Sequence, residues 1–190
     1  MKPLKMLLFL FAVTSVLIAC ESGEDMAGDE SEDQGSKEPT LEAEIIYGEE
    51  VFTFSLSGEE LTDNVVFLSN QMYFKASNEF NQAINIAIAA PDLFSKTAGV
   101  FQAIPVLPYA LEDKLASIQF YDPTEQPLTN ASSKYAIDDE VVVSEFTEEK
   151  IVMAYDGDAI TGAQLDKTEK DPFNFTLELT YTDFQLTDMR

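Results

Sequence analysis

The chain has 190 residues, with 35 Asp and Glu against 11 Lys and Arg, no His, no Trp, one Cys and a formal charge of −24. That length suits one domain plus appendages, and 45% apolar residues suffice for a packed core, so wholesale disorder is excluded. The charge argues against nucleic acid as a partner, and the lack of His removes His-based triads, His metal sites and imidazole switches.

The chain opens with two cations, Lys2 and Lys5, followed by the uncharged thirteen-residue run Met6 to Ile18. A bilayer-spanning helix needs about 20 apolar residues, so the run is too short for a permanent anchor and has the size of a secretory h-region. It ends at Leu17-Ile18-Ala19-Cys20, followed at once by Glu21-Ser22-Gly23-Glu24-Asp25. This tetrapeptide resembles the lipobox of bacterial lipoproteins. The resemblance implies a signal peptide over 1–19 cut after Ala19, with Cys20 as the lipidated N-terminal residue. It also implies a protein of the cell envelope, lipid-anchored, at the outer membrane and exposed at the surface. Burying acyl chains is worth about 0.8 kcal/mol per CH₂, and more than one chain gives stable anchoring. With Cys20 acylated, no thiol remains for a disulfide or a thiolate metal site.

Residues 20–40 form the next segment. Glu21, Glu24, Asp25, Asp29, Glu30, Glu32, Asp33 and Glu38 face a lone Lys37, with Gly and Ser between them. Such a composition does not offset its ordering entropy, so a disordered, self-repelling tether is expected. An acidic stretch soon after the lipid-bearing Cys is similar to the surface-export signals of Bacteroidetes lipoproteins; an ordinary solvated spacer has the same composition.

Period-two patterning starts at Leu41, and residues 41–190 are expected to form one domain. Phe52, Phe54 and Leu56 alternate with polar residues, and Val65 to Leu68 is a shorter candidate strand. Ile84, Ile86 and Ile88 alternate next, and Pro91 to Lys96 predicts one or two helical turns closed by Gly99. The run Val100 to Tyr109 is apolar yet holds Pro105 and Pro108, which predicts either a buried edge or an exposed apolar lip. Tyr109 to Leu115 offers a second short helix, and Leu115 to Tyr121 another strand. Val141 to Val143 and Ile151 to Tyr155 predict a hairpin through Phe146-Thr147-Glu148-Glu149, and Phe173 to Tyr181 is the longest alternation. Turns are expected at Tyr47-Gly48, Ser57-Gly58, Asp122-Pro123, Glu125-Gln126-Pro127 and Asp156-Gly157. Short strands at this spacing predict an all-β fold, an antiparallel β-sandwich, with a lipocalin-like β-barrel as the alternative. The order of features from Phe94 onward resembles small exported Bacteroidetes lipoproteins of unknown function, which implies a β-sandwich and no particular activity.

No catalytic residue set is recognised. Gly-x-Ser-x-Gly and Gly-x-x-x-x-Gly-Lys are absent, and the only Arg is Arg190. A glycosidase or other carboxylate-dependent hydrolase needs two carboxyl groups about 5–10 Å apart. The 27 acidic residues beyond the tether make such a pair easy to meet by chance. Calcium takes carboxylate oxygens from loops, which makes Asp156, Asp158, Asp138 and Asp139 candidate ligands of a calcium-stabilised module. The EF-hand pattern fails, because Ile160 and Lys167 stand where oxygen ligands belong, and a polar turn beside a solvated strand explains the same residues. Glycan binding on a sandwich calls for aromatic platforms. Tyr47, Tyr73, Tyr155 and Tyr181 all lie in or beside strands, where aromatic rings are expected in the core. The functional expectation is therefore a lipid-anchored binding or assembly module with an envelope protein or glycan as partner.

Overall fold

The computed structural model describes residues 37–188 apart from 62–64, 69, 92, 96–97, 109–112, 126–131 and 148. The leader, Cys20 and the tether as far as residue 36 lie outside the described residues.

Alternation of apolar and polar side chains places almost every described element in a strand. In chain order these are β1 (Thr40–Tyr47), β2 (Glu50–Ser57), β3 (Val65–Leu68), β4 (Gln71–Ser77), β5 (Ala83–Ala89) and β6 (Gly99–Ala103). There follow β7 (Leu115–Tyr121), β8 (Ser133–Ile137), β9 (Glu140–Phe146), β10 (Lys150–Thr161), β11 (Phe173–Thr182) and β12 (Leu186–Asp188). The helical turns expected from Pro91 contract to a 3-10 turn at Leu93–Ser95. The helix expected at Tyr109 to Leu115 falls largely on residues outside the description, and Leu115 already opens β7. The Glu125-Gln126-Pro127 turn is likewise mostly outside it.

Ladder pairing runs β12-β3-β4-β5-β7-β6-β9-β10-β11-β1-β2, with β8 joining β7 to β10. The two ends, β12 and β2, do not pair, so the sheet wraps over itself as a sandwich-like fold and does not close as a barrel. Most ladders are antiparallel, but β12 with β3 and β6 with β7 are parallel, which departs from a purely antiparallel sandwich. The two halves of the sheet meet through aromatic rings. Phe52 and Phe54 on β2 stand 4.8 and 6.5 Å from Phe120 on β7, and Phe74 on β4 stands 5.5 Å from Tyr181 on β11. Leu41, Ile45, Ile86, Ile118, Val141, Ile151, Phe175 and Leu177 fill the interior between them. Each large side chain removed from water contributes about 1.5–3 kcal/mol, so the core holds the layers together by packing.

The sequence-based turn at Asp156-Gly157 is not formed, because both residues lie inside the twelve-residue β10. The interruption occurs in the strand opposite. β8 pairs with Asp158 to Thr161 and β9 with Ile151 to Tyr155, leaving Asp156 and Gly157 without a ladder partner on that side. Between β8 and β9, Asp138 adopts a left-handed φ of 59°, and Asp138 N and Asp139 O bond to Ala103 at the end of β6. The Asp139 side chain turns onto β10 and accepts the Asp158 N–H at 2.8 Å, standing in for the missing carbonyl. A Cβ on Gly157 would lie 2.5 Å from Asp139 Cβ and 2.6 Å from Cγ. Gly157 is therefore required for space, since its own φ is not left-handed. Underneath, the buried Tyr155 hydroxyl donates to Ile137 O at 3.0 Å or Asp158 O at 2.5 Å and accepts from Ile137 N at 3.3 Å.

Candidate functional site

The outer face of β4, β5, β7 and β8 carries a groove of about 510 Å³. Register builds its floor in two rows. Tyr73 lies opposite Ala87, which lies opposite Ser117. Lys75 lies opposite Asn85, then Gln119, then Tyr135. These are the outward members of strands whose inward members, Phe74, Ile86, Ile118 and Ala136, are buried. The same alternation that makes the core therefore presents a polar and aromatic surface.

A lip overhangs the second side. β6 leaves the sheet after Ala103, Ile104 N makes a last bond to Ala116 O at 2.8 Å, and Pro105-Val106-Leu107 rise over β7. Proline cannot continue a ladder at Pro105, which frees the chain to lift. The Ser117 hydroxyl holds the lip by donating to Pro105 O at 2.9 Å. The apolar run from Val100 thus divides between the two expectations. Phe101 and Ala103 are buried strand, whereas Val106 is 68% exposed at the rim.

The floor is held by a chain of hydrogen bonds. Asn85 Nδ2 donates to Gln119 Oε1 at 3.2 Å, and Gln119 Nε2 donates to Tyr135 OH at 3.0 Å and Ser133 Oγ at 3.1 Å. Both Gln119 groups are used, which fixes its amide and aims its neighbours. Asn85 keeps its carbonyl and a second N–H, and Tyr135 keeps its own O–H, on residues that line the groove. Tyr73 was expected in the core but is 36% exposed beside this floor; burial of the rest pushes its hydroxyl above the usual tyrosine range. Tyr155 and Tyr181 are buried as expected, and Tyr47 packs on Phe173 with ring centroids 4.6 Å apart.

The acidic candidates lie elsewhere. Asp138, Asp139 and Asp156 line a second surface depression of about 850 Å³ on β1, β9, β10 and β11, together with Glu44, Glu140 and Glu178. Glu44 faces Glu178 directly across the ladder, an arrangement that is unfavourable without a cation. Asp158 is tied to this cluster through the bond from its N–H to Asp139, and Asp156 Oδ1 accepts from Asn174 at 3.5 Å. Among the described residues no three carboxylates converge closely enough to hold a metal ion. The one buried carboxylate among them, Asp122, accepts from Thr124 N at 3.0 Å and Thr124 Oγ1 at 2.9 Å, which occupies it as a local cap.

Among the groove residues the sequence points to Tyr73 and to the Pro105-Val106-Leu107 lip, but not to Asn85, Ser117, Gln119 or Tyr135. The available signal was the outward polar position inside an apolar alternation, Asn85 within Ile84-Asn85-Ile86 and Gln119 within Ile118-Gln119-Phe120. The chain matches no family model, no curated protein and no solved structure.

Proposed function

We propose that this chain is a lipid-anchored binding module of the bacterial cell envelope, with the groove between Tyr73 and the Pro105 lip as its ligand site. Leu17-Ile18-Ala19-Cys20 supports the anchor, and the groove carries the binding reading. Its polar groups are fixed by hydrogen bonds before any ligand arrives, so binding loses little side-chain entropy. The acidic depression supports a carboxylate-dependent hydrolase less well, because Asp139 already accepts the Asp158 N–H and Asp156 accepts from Asn174.

The anchor is tested by growing the producing cells with labelled palmitate. Label is expected in the wild-type chain, and globomycin is expected to block its maturation. Cys20→Ser is expected to lose the label and leave the membrane fraction. A Cys20→Ser protein that remains equally membrane-bound overturns the anchor.

A further inference from the structure

We infer that the ligand of the groove is an uncharged carbohydrate chain, an inference that rests on the groove being the binding site.

The first argument is charge. Among the described residues, none that lines the groove is acidic, although the whole chain carries 35 acidic residues. One cation, Lys75, stands at the end of the second row. A described lining without carboxylates offers little to a cationic ligand, and one Lys among it is not the cluster of cations that recognises phosphate or a polyanion. The chemistry left is neutral.

The second argument is hydrogen bonding. Sugar hydroxyls donate and accept at the same atom, so they match sites that place donors and acceptors side by side. Asn85 presents a carbonyl and an N–H, Tyr135 presents an O–H, and Ser117 presents hydroxyl lone pairs after its proton goes to Pro105 O. An apolar ligand laid over these groups would strip water from them without replacing the bonds.

The third argument is shape. Ala87 and Ser117 are small, which leaves room over the floor between the Tyr73 and Tyr135 rings. Tyr73 and Tyr135 are three ladder steps apart, about 14 Å across, and one row apart along the strands, about 7 Å. That span fits a short oligosaccharide whose apolar C–H faces lie on the rings. A peptide is disfavoured for a separate reason. β4, β5, β7 and β8 each have a partner on both sides here, so the floor offers no open edge for strand addition.

The experiment probes the full-length lipoprotein in detergent on an array of neutral and anionic glycans and on an array of random peptides. Saturable binding to one or more neutral glycans is expected, competed by the free oligosaccharide. Tyr73→Ala and Asn85→Ala are each expected to weaken it tenfold or more while the protein stays folded at the assay temperature, as circular dichroism would show. Val142→Ala, at an exposed position on β9 outside the groove, is expected to leave it unchanged. Peptide or anionic-glycan binding that is lost in Tyr73→Ala overturns the carbohydrate assignment while leaving the groove as the site. Neutral-glycan binding insensitive to both substitutions overturns the site as well, and so does the absence of binding on both arrays.

Discussion

Replacing Gly157 with Ala tests the reading of the interrupted strand. The new Cβ would sit 2.5 Å from Asp139 Cβ and 2.6 Å from Cγ, so the Asp139 side chain has to leave. Its departure removes the 2.8 Å bond from Asp158 N–H, a charge-assisted contact worth about 1.5–3 kcal/mol net. Residual crowding adds about 1–3 kcal/mol, and the entropic gain from replacing a strand glycine returns about 0.5–1 kcal/mol. The expected loss is about 2–4 kcal/mol. In urea the midpoint falls with the slope unchanged, and at about 2–4 °C per kcal/mol the melting temperature drops by roughly 5–15 °C. The partner test is Asp139→Gly, which removes the obstructing atoms. In that background Gly157→Ala is expected to cost at least about 1.5 kcal/mol less, a coupling within the range seen for touching residues. Asp139→Ala is the wrong partner, because its Cβ still clashes. Gly157→Ala with wild-type stability, or with the same cost in both backgrounds, refutes the argument.

Two further outcomes follow from the hydrogen-bonded groups. Burial pushes the Tyr155 hydroxyl far above its ordinary value of 10.0, and the nearby Asp139, Asp158 and Asp138 push the same way against the opposing Ile137 bond. A raised folded value means that the native state holds the proton longer than the unfolded one. Stability is therefore full below about pH 10 and falls as pH rises beyond it, by up to about 1.4 kcal/mol per pH unit. Tyr155→Phe is expected to cost about 1–3 kcal/mol at neutral pH and to flatten this alkaline decline; parallel stability curves above pH 10 contradict it. Ser117→Ala releases the lip from β7. Its stability cost is expected to stay below about 1.5 kcal/mol, while amide exchange at Ile104, Val106 and Leu107 speeds up; unchanged exchange there contradicts the tether.

Much of the sheet is legible where alternation is clean. The expected strands at Phe52 to Leu56, Ile84 to Ile88, Leu115 to Tyr121 and Phe173 to Tyr181 all form, as does the hairpin through Thr147, closed by Thr147 N bonding to Lys150 O at 2.8 Å. Other strands hide because their pattern is inverted or mixed. In β8 Lys134 points inward, 1% exposed with its Nζ 5.2 Å from the Tyr47 ring, while Tyr135 points outward. In β4 the outward residues Gln71, Lys75 and Ser77 are polar, but Tyr73 stands between them next to Phe74, and two adjacent aromatic residues blur the alternation. Asp156-Gly157 has the composition of a tight turn, but its glycine answers to a carboxylate arriving from the opposite strand, which no local reading shows. The groove escapes for the same kind of reason. It takes single outward residues from four strands and a lip from a fifth segment, and only register assembles them.

The place of β1 decides when this protein is finished. Thr40 at its start lies against Thr182 at the end of β11, and β2 covers only its other side. A chain emerging from its N-terminus makes the β1–β2 hairpin early and then waits, with a long row of amides and carbonyls unmatched, until β11 arrives more than a hundred residues later. Premature termination ahead of Phe173 would release a sticky fragment, because the missing strand is the one that seals the first hairpin to β10.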